Sequence, residues 1–124
     1  MNKTTQKKKR LRSKADRLWF QLLLKEKCEV CGRKAVQVHH AFPKGLFGHL
    51  RYDLDNGISL CVGCHFALHH KADPRIMAGI IKARGKKWYD KLEKRANSRT
   101  HYQTTITYYE QEIKELQEKM PDMR

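Results

Sequence analysis

The sequence of 124 residues predicts an α+β protein, in which an N-terminal helix precedes two short strands and a helix, and further helices follow. Apolar residues recur at helical spacing near both ends of the chain. Two short apolar runs in the middle are typical of strands, and a C-x-x-C pair lies beside each run. A chain of this length corresponds to one domain.

The N-terminal segment changes character near residue 13. Residues 1–12 are rich in lysine and lack apolar periodicity, which predicts a disordered basic tail. Ser13 followed by Asp16 resembles a helix N-cap with an acid three residues on. The apolar face that follows predicts a helix over about residues 14–26.

The middle of the chain predicts a hairpin followed by a helix. Strands are expected at Ala35–His39 and Gly57–Leu60, and the glycine- and aspartate-rich residues 41–55 between them predict a long loop. Loops of this length inside a domain are usually functional. A helix is expected from Cys64 to about Ala72.

Three further helices are expected after residue 73. Asp73-Pro74 is a typical N-cap and first helical residue, and Gly85 is expected to end that helix. Another helix should reach about Asn97, and after a polar loop over 98–105 an amphipathic helix should close the chain. Residues 13–124 are therefore expected to form a single domain, with a core at 28–72 and a helical extension at 73–124.

The charge of the chain is strongly positive and unevenly distributed. Lys and Arg number 27 against 13 Asp and Glu, which gives a net charge of +14. Residues 1–27 and 74–99 carry net charges of +8 and +7, whereas the segment between them carries +1 and residues 100–124 carry −2. Basic flanks suit a polyanion, because each phosphate that a cation neutralises releases a counterion. The alternatives are a solvated surface and a membrane surface, and the lack of a long apolar face disfavours the membrane.

Nothing in the sequence resembles a membrane span or a secretory signal. No apolar run approaches the ~18 residues that a membrane-spanning helix needs. The basic N-terminus is not followed by the apolar stretch of a signal peptide. A cytoplasmic protein with reduced cysteines and no membrane partner is therefore expected.

The four cysteines predict a structural zinc site. They form two C-x-x-C pairs, and two such knuckles complete a tetrahedral thiolate site. The cysteines are Cys28, Cys31, Cys61 and Cys64. The 29 residues between the pairs exceed the usual spacing of about 15–20, so a further element must be inserted. Two disulfides or a redox pair are the alternatives, but a secretion signal and a thioredoxin-like pattern are both missing.

Several histidines surround the second pair of cysteines. His65 and His69 share one face of the predicted helix, and His39 ends the first predicted strand. If the hairpin folds onto the helix, these three imidazoles could bind one metal ion. Side chains alternate along a strand, so His40 points elsewhere and is left as a base beside the metal. The alternative for each histidine is a surface or hydrogen-bonded residue.

The runs V-H-H-A-F-P, D-L-D-N and L-C-V-G-C-H resemble the HNH endonucleases, which have the ββα-metal fold, over about residues 28–70. The resemblance implies that His40 is the general base, that Asn56 orients it, and that His39 and His65 bind a catalytic divalent metal. The histidine spacing is similar to that of colicin nuclease domains, which adds His69 to the ligands. Mg, Mn, Ni and Zn are the candidate catalytic ions, and 5′-phosphate and 3′-hydroxyl ends are the expected products.

A second resemblance, over about residues 49–120, is to the phage recombination family called NinG or Rap, whose members act on branched recombination intermediates. It implies a phage protein in the host cytoplasm, with DNA and recombination proteins as partners. Packaging with a terminase, homing or restriction, and a non-catalytic zinc-held DNA-binding module are the alternatives. The oligomeric state is left open.

The remaining candidates are cations that could hold DNA phosphates near the catalytic residues. Each could equally be an ordinary surface charge. They are Lys44, Arg51, Lys71, Lys82, Arg84, Lys86 and Lys87. His49 and His70 are expected to contact phosphate or solvent, and His101 has no predicted role.

Overall fold

A computed structural model describes residues 2–99 and 102–121 and has the α+β architecture that the sequence predicts. Within these residues a two-stranded antiparallel sheet lies between helical ends. The elements are α1 (Lys3–Leu23), β1 (Gln37–His40), β2 (Gly57–Leu60), α2 (Val62–His70), α3 (Pro74–Arg84), α4 (Lys86–Asn97) and α5 (Ile106–Lys119). In the described part of the chain, no helix is long and apolar enough to cross a membrane.

The chain divides into two compact units, and the single domain expected over residues 13–124 stays a prediction. The terminal unit comprises Met1–Leu22 and His101–Arg124, and so contains most of α1 and all of α5. The central unit, Leu23–Thr100, contains the hairpin and α2 to α4. The predicted segments 1–12, 98–105 and 106–124 each include residues outside the described part of the chain, as does the position of His101.

Helix α1 begins far earlier than the sequence predicted. Residues 3–12 are helical rather than a disordered tail, because Lys, Arg, Gln and Leu are good helix formers. The side chain of Asn2 caps this helix by accepting a hydrogen bond of 2.8 Å from the Thr5 N–H. Ser13 therefore lies inside the helix, and its prediction as an N-cap is wrong.

The hairpin is the scaffold of the central unit. β1 pairs with β2 so that His39 lies opposite Ile58 and His40 lies opposite Gly57. Ile58 and Leu60 of β2 are fully buried, and α3 adds the buried Ile80 to the same core. Burying each such side chain contributes about 1.5–3 kcal/mol. β2 matches its predicted bounds, whereas β1 begins two residues later and ends one residue later than predicted.

Helix α4 fixes the long loop over residues 41–55. Leu92 and Ala96 of α4 are fully buried against Leu50, with Phe42 and Phe47 packed beside them. Two single 3₁₀ turns, at Gly48–Leu50 and Leu54–Asn56, give the loop local structure. The loop is therefore held by α4, a helix that comes later in the chain than the hairpin and α2.

Arg84, one of the predicted DNA-contacting cations, makes several contacts within the protein. Its guanidinium donates to the Glu29 carboxylate at 2.7 and 2.8 Å and to the Gly57 carbonyl at 2.7 Å. It also lies 4.9 Å from the centroid of the Trp88 ring. Burial would raise the pKa of Glu29, but the hydrogen bonds from Arg84 and the Ser59 N–H lower it. The pair ties the first knuckle to α3 and the hairpin.

The four cysteines meet at one end of the hairpin. Their sulfur atoms all lie within 4.8 Å of one another, and the Sγ atoms of Cys31 and Cys61 are 3.4 Å apart. A disulfide needs about 2.05 Å, whereas the edge of a tetrahedron with zinc–sulfur bonds of about 2.3 Å is about 3.8 Å. All four cysteines are free, so the donor set fits a tetrahedral zinc site rather than disulfides.

Backbone N–H groups point at these sulfurs, as expected for thiolates. The Val30 N–H donates to Cys28, and the Cys64 N–H donates to Cys61, which thereby caps α2. Burial would raise the pKa of the Cys28 thiol, but the backbone N–H groups of Cys31, Cys61 and Val30 outweigh it and lower that pKa to about 6. A metal ion binds the thiolate, so the lowered pKa of Cys28 favours binding, whereas burial and the neighbouring sulfurs raise the pKa of Cys64.

We expect about one zinc ion per chain, held by the cysteines and resistant to mild chelation. Cys61→Ser should lose this zinc and unfold the central unit, because the metal supplies folding free energy in such sites. His69→Ala is the control: it should keep the zinc, since His69 belongs to another cluster. Elemental analysis with circular dichroism measures both, and a folded, zinc-free Cys61→Ser variant would contradict the prediction.

Candidate active site

Three histidines converge beside the hairpin. His39 comes from β1, and His65 and His69 lie one turn apart on α2. Their ligand atoms all lie within 4.8 Å of one another, and the His69 Nε2 is 3.1 Å from the His39 Nδ1. The expected convergence of these three residues is therefore present, because α2 packs against the hairpin through Ala67 and Leu68.

The three imidazoles fit a divalent metal ion. Burial lowers the pKa of His39 to about 4, helped by the neighbouring His69 and His65. Burial also lowers the pKa of His65, with His69 and His70 adding to the effect. Both rings are therefore neutral at pH 7, which is the form that binds metals. Imidazole nitrogen suits zinc, nickel, iron and copper, and three such ligands leave further coordination positions for oxygen.

His40, which follows His39 in β1, makes a hydrogen bond with a backbone carbonyl. Its Nε2 lies 3.0 Å from the carbonyl oxygen of Arg51, in the long loop. A carbonyl only accepts, so Nε2 carries the proton, and in the neutral ring Nδ1 is then the basic nitrogen. We assign this tautomer from the hydrogen bond. The side chain is half-buried, which leaves the ring partly accessible to solvent.

Asn56 is fully buried and fixes both ends of the loop. Its side-chain N–H groups donate to the carbonyls of Phe42 at 3.0 Å and Leu50 at 3.1 Å, and its oxygen accepts from the Phe42 N–H at 2.7 Å. The Leu50 carbonyl is next in the chain to the Arg51 carbonyl that His40 uses. Asn56 and His40 are therefore bonded to neighbouring parts of the same loop backbone.

The predicted DNA-contacting cations fall into two groups. Five are exposed, namely Lys44, Lys71, Lys82, Lys86 and Lys87. Arg51 is half-buried, with its guanidinium 5.9 Å from the centroid of the Tyr52 ring. Arg84 is engaged by Glu29.

His49 has a structural contact rather than the expected phosphate or solvent contact. Its Nε2 lies 3.0 Å from the carbonyl of Arg95, in the last turn of α4. The same Arg95 pairs with Asp53 at 2.9 Å and with Asp55 at 2.8 Å. These contacts bind the long loop to α4.

Two features of the site were missed from the sequence. The hydrogen-bond partner of His40 is the backbone carbonyl of Arg51. Every residue has such a carbonyl, so the amino-acid sequence does not reveal this partner. The ring of Phe66, next to His65 on α2, is half exposed. In the sequence, the position of Phe66 directly after a predicted metal ligand could have indicated that its ring lies near the site.

Comparison with known proteins agrees with the geometry over the central unit. Residues 28–71 match the family model described as HNH endonuclease. The match begins at the first zinc-knuckle cysteine and includes the hairpin and all of α2. Among curated proteins and among solved structures nothing matches the chain, so the resemblance to the NinG or Rap family gains no support. Residues 28–71 of this chain are therefore similar to the HNH endonuclease family.

Proposed function

We propose that this protein is a metal-dependent DNA endonuclease that hydrolyses phosphodiester bonds. The observation that carries the proposal is the position of His40, which is bonded to a carbonyl at Nε2 and follows His39, one of three converging imidazoles. The HNH domain supports a nuclease or DNA-binding role. Binding alone would need neither a fixed base nor a second metal cluster.

His40 would take a proton from the attacking water. Its Nδ1 is the acceptor in the assigned tautomer, and histidine is commonly neutral at physiological pH. A divalent ion held by His39, His65 and His69 would polarise the phosphate and stabilise the leaving 3′ oxygen. Because the 3′ oxygen is the leaving group, cleavage would produce 5′-phosphate and 3′-hydroxyl ends.

Asn56 would act as a positioning residue. It bonds the loop at Phe42 and at Leu50, and the loop presents the Arg51 carbonyl to His40. Loss of its side chain would leave these buried backbone groups without their partners. The base would remain present but less well oriented.

Helix α1 offers a basic surface for the DNA backbone. Five exposed cations follow a spacing of four and three residues, which places them along one face. We call Lys3, Lys7, Arg10, Lys14 and Arg17 the α1 stripe. The stripe lies on the side opposite to the buried Ala15 and Trp19. It extends about 21 Å, which is about six base pairs along duplex DNA.

For the biological role we retain branched recombination DNA as the proposed substrate. It agrees with a nuclease that has a long basic surface on α1. Phage packaging and homing or restriction are the other roles, and each predicts a different preferred DNA. A panel of linear duplex, single-stranded, forked and four-way DNA separates them.

His40→Ala should abolish cleavage, with a loss of about 10²–10⁴-fold or more, because the general base is removed. Folding, zinc at the cysteines, the second metal ion and DNA binding should persist, since His40 binds neither metal. His65→Ala should be equally inactive but should bind the second ion poorly. Asn56→Ala should be less impaired than His40→Ala. Cleavage rates and metal content distinguish these variants.

Two results would count against the assignment of His40. Wild-type rates in His40→Ala would show that another group is the base, and His39 would be the next candidate. An inactive wild-type protein that binds DNA with every metal tested would favour the non-catalytic DNA-binding module.

Arg10→Gln combined with Arg17→Gln should weaken duplex binding and reduce its salt dependence. Each lost phosphate contact lowers the slope of log affinity against log salt by about 0.9, so the pair should lower it by about 1.8. Lys114→Gln with Lys119→Gln removes the same charge from exposed positions on α5 and serves as the control. Equal slopes for the two double variants would contradict a role for the α1 stripe.

A further inference from the structure

One side of α2 exposes an aromatic surface beside the metal cluster. Phe66 is 50% exposed, and the His70 ring lies against it with centroids 4.7 Å apart and an angle of 31° between the planes. The Lys71 ammonium lies 5.9 Å from the centroid of the Phe66 ring. We call Phe66, His70 and Lys71 the Phe66 platform. Val62, one turn earlier, is 69% exposed and extends the apolar face.

The Phe66 platform is continuous with the candidate metal site. Phe66 follows His65 directly, and His70 follows His69. Successive residues on a helix are about 100° apart around its axis and rise by 1.5 Å. The two rings of the platform therefore lie on the face of α2 that adjoins the face carrying His65 and His69. A phosphate held at the ligands would have its neighbouring nucleotides within reach of these rings.

The chemistry of the platform suits a nucleobase. The half-exposed ring of Phe66 offers an apolar π-surface that stacks on any base, and the Lys71 ammonium near it adds a positive charge for the phosphate of a bound strand. Burying an exposed ring under a base also removes apolar area from water. In a duplex each base is already stacked between its neighbours, so only an unpaired or flipped base offers a free face.

We propose that the Phe66 platform is a stacking site for an unpaired nucleobase next to the phosphate at the metal cluster. The inference rests on the proposed nuclease function and adds a determinant of substrate choice. The site favours DNA with single-stranded nucleotides at the cleavage position, such as forks and junctions. Phe66 is the residue that makes this distinction, and Lys71 contacts the same strand.

Binding measurements in the His40→Ala background test the site without cleavage. The probe is a forked DNA carrying 2-aminopurine at successive unpaired positions, with a fully paired duplex of the same sequence as reference. Phe66→Ala should weaken fork binding about tenfold or more and duplex binding less than twofold, since stacking contributes at this scale for one base. Protein that keeps Phe66 should quench the fluorescence of 2-aminopurine at one position of the fork, and protein with Phe66→Ala should not.

Matched variants separate stacking from apolar contact. Phe66→Leu keeps apolar volume without a π-face and should behave like Phe66→Ala, whereas Phe66→Trp should retain fork binding. Val62→Ala removes a more exposed apolar side chain from the same face and should leave fork binding unchanged. Phe66 is half exposed, so these variants should fold, and zinc content with circular dichroism verifies that they do.

Several outcomes would overturn the proposal. Equal losses on fork and duplex, full binding by Phe66→Leu, or quenching that survives Phe66→Ala would each show that Phe66 is not a stacking site. Unchanged DNA binding in Phe66→Ala would show that the exposed face does not bind DNA and would favour a different partner, such as a protein. If wild-type protein cleaves no DNA but the fork-specific losses occur, the nuclease proposal fails and the stacking site stands.

Discussion

The four-cysteine cluster is the constraint on which the central unit depends. Its first pair precedes β1 and its second pair follows β2, so it joins the two ends of the segment that contains the hairpin. Two strands of four residues are too short to be stable alone. A metal at the cysteines would join the two ends of the segment between the pairs and contribute free energy to folding. Cys61 is also the N-cap residue of α2. The helix that carries His65 and His69 thus starts at the cluster.

The opposite end of the hairpin is organised by a buried amide. Asn56 bonds Phe42 and Leu50, and α4 covers the same loop with Leu92 and Ala96. A polar side chain that is fully buried must have its hydrogen bonds satisfied, and Asn56 has three. The two ends have separate tasks: the cysteines fix the helix that carries His65 and His69, and Asn56 fixes the loop that bonds His40.

Much of this arrangement was predictable because it has a local sequence pattern. The C-x-x-C pairs, the i and i+4 histidines, and the caps at Asp73 and Gly85 each fix their neighbours by short-range geometry. The roles of Arg84 and His49 were not predictable, because their partners Glu29 and Arg95 lie 55 and 46 residues away. The helix over residues 3–12 was also missed, since its side chains are polar although its intrinsic helix propensity is high.

The central claim is that the cysteine cluster holds a structural metal and the histidine cluster a separate, catalytic one. The most direct test treats the wild-type protein with a mild chelator, measures zinc, and assays nicking of plasmid DNA before and after Mn²⁺, Ni²⁺ or Mg²⁺ is restored. The account predicts that chelated protein keeps about one zinc per chain, cuts nothing, and regains cleavage with added ion at unchanged zinc content. Full cleavage by the chelated protein, or recovery only when zinc refills the cysteines, would contradict it.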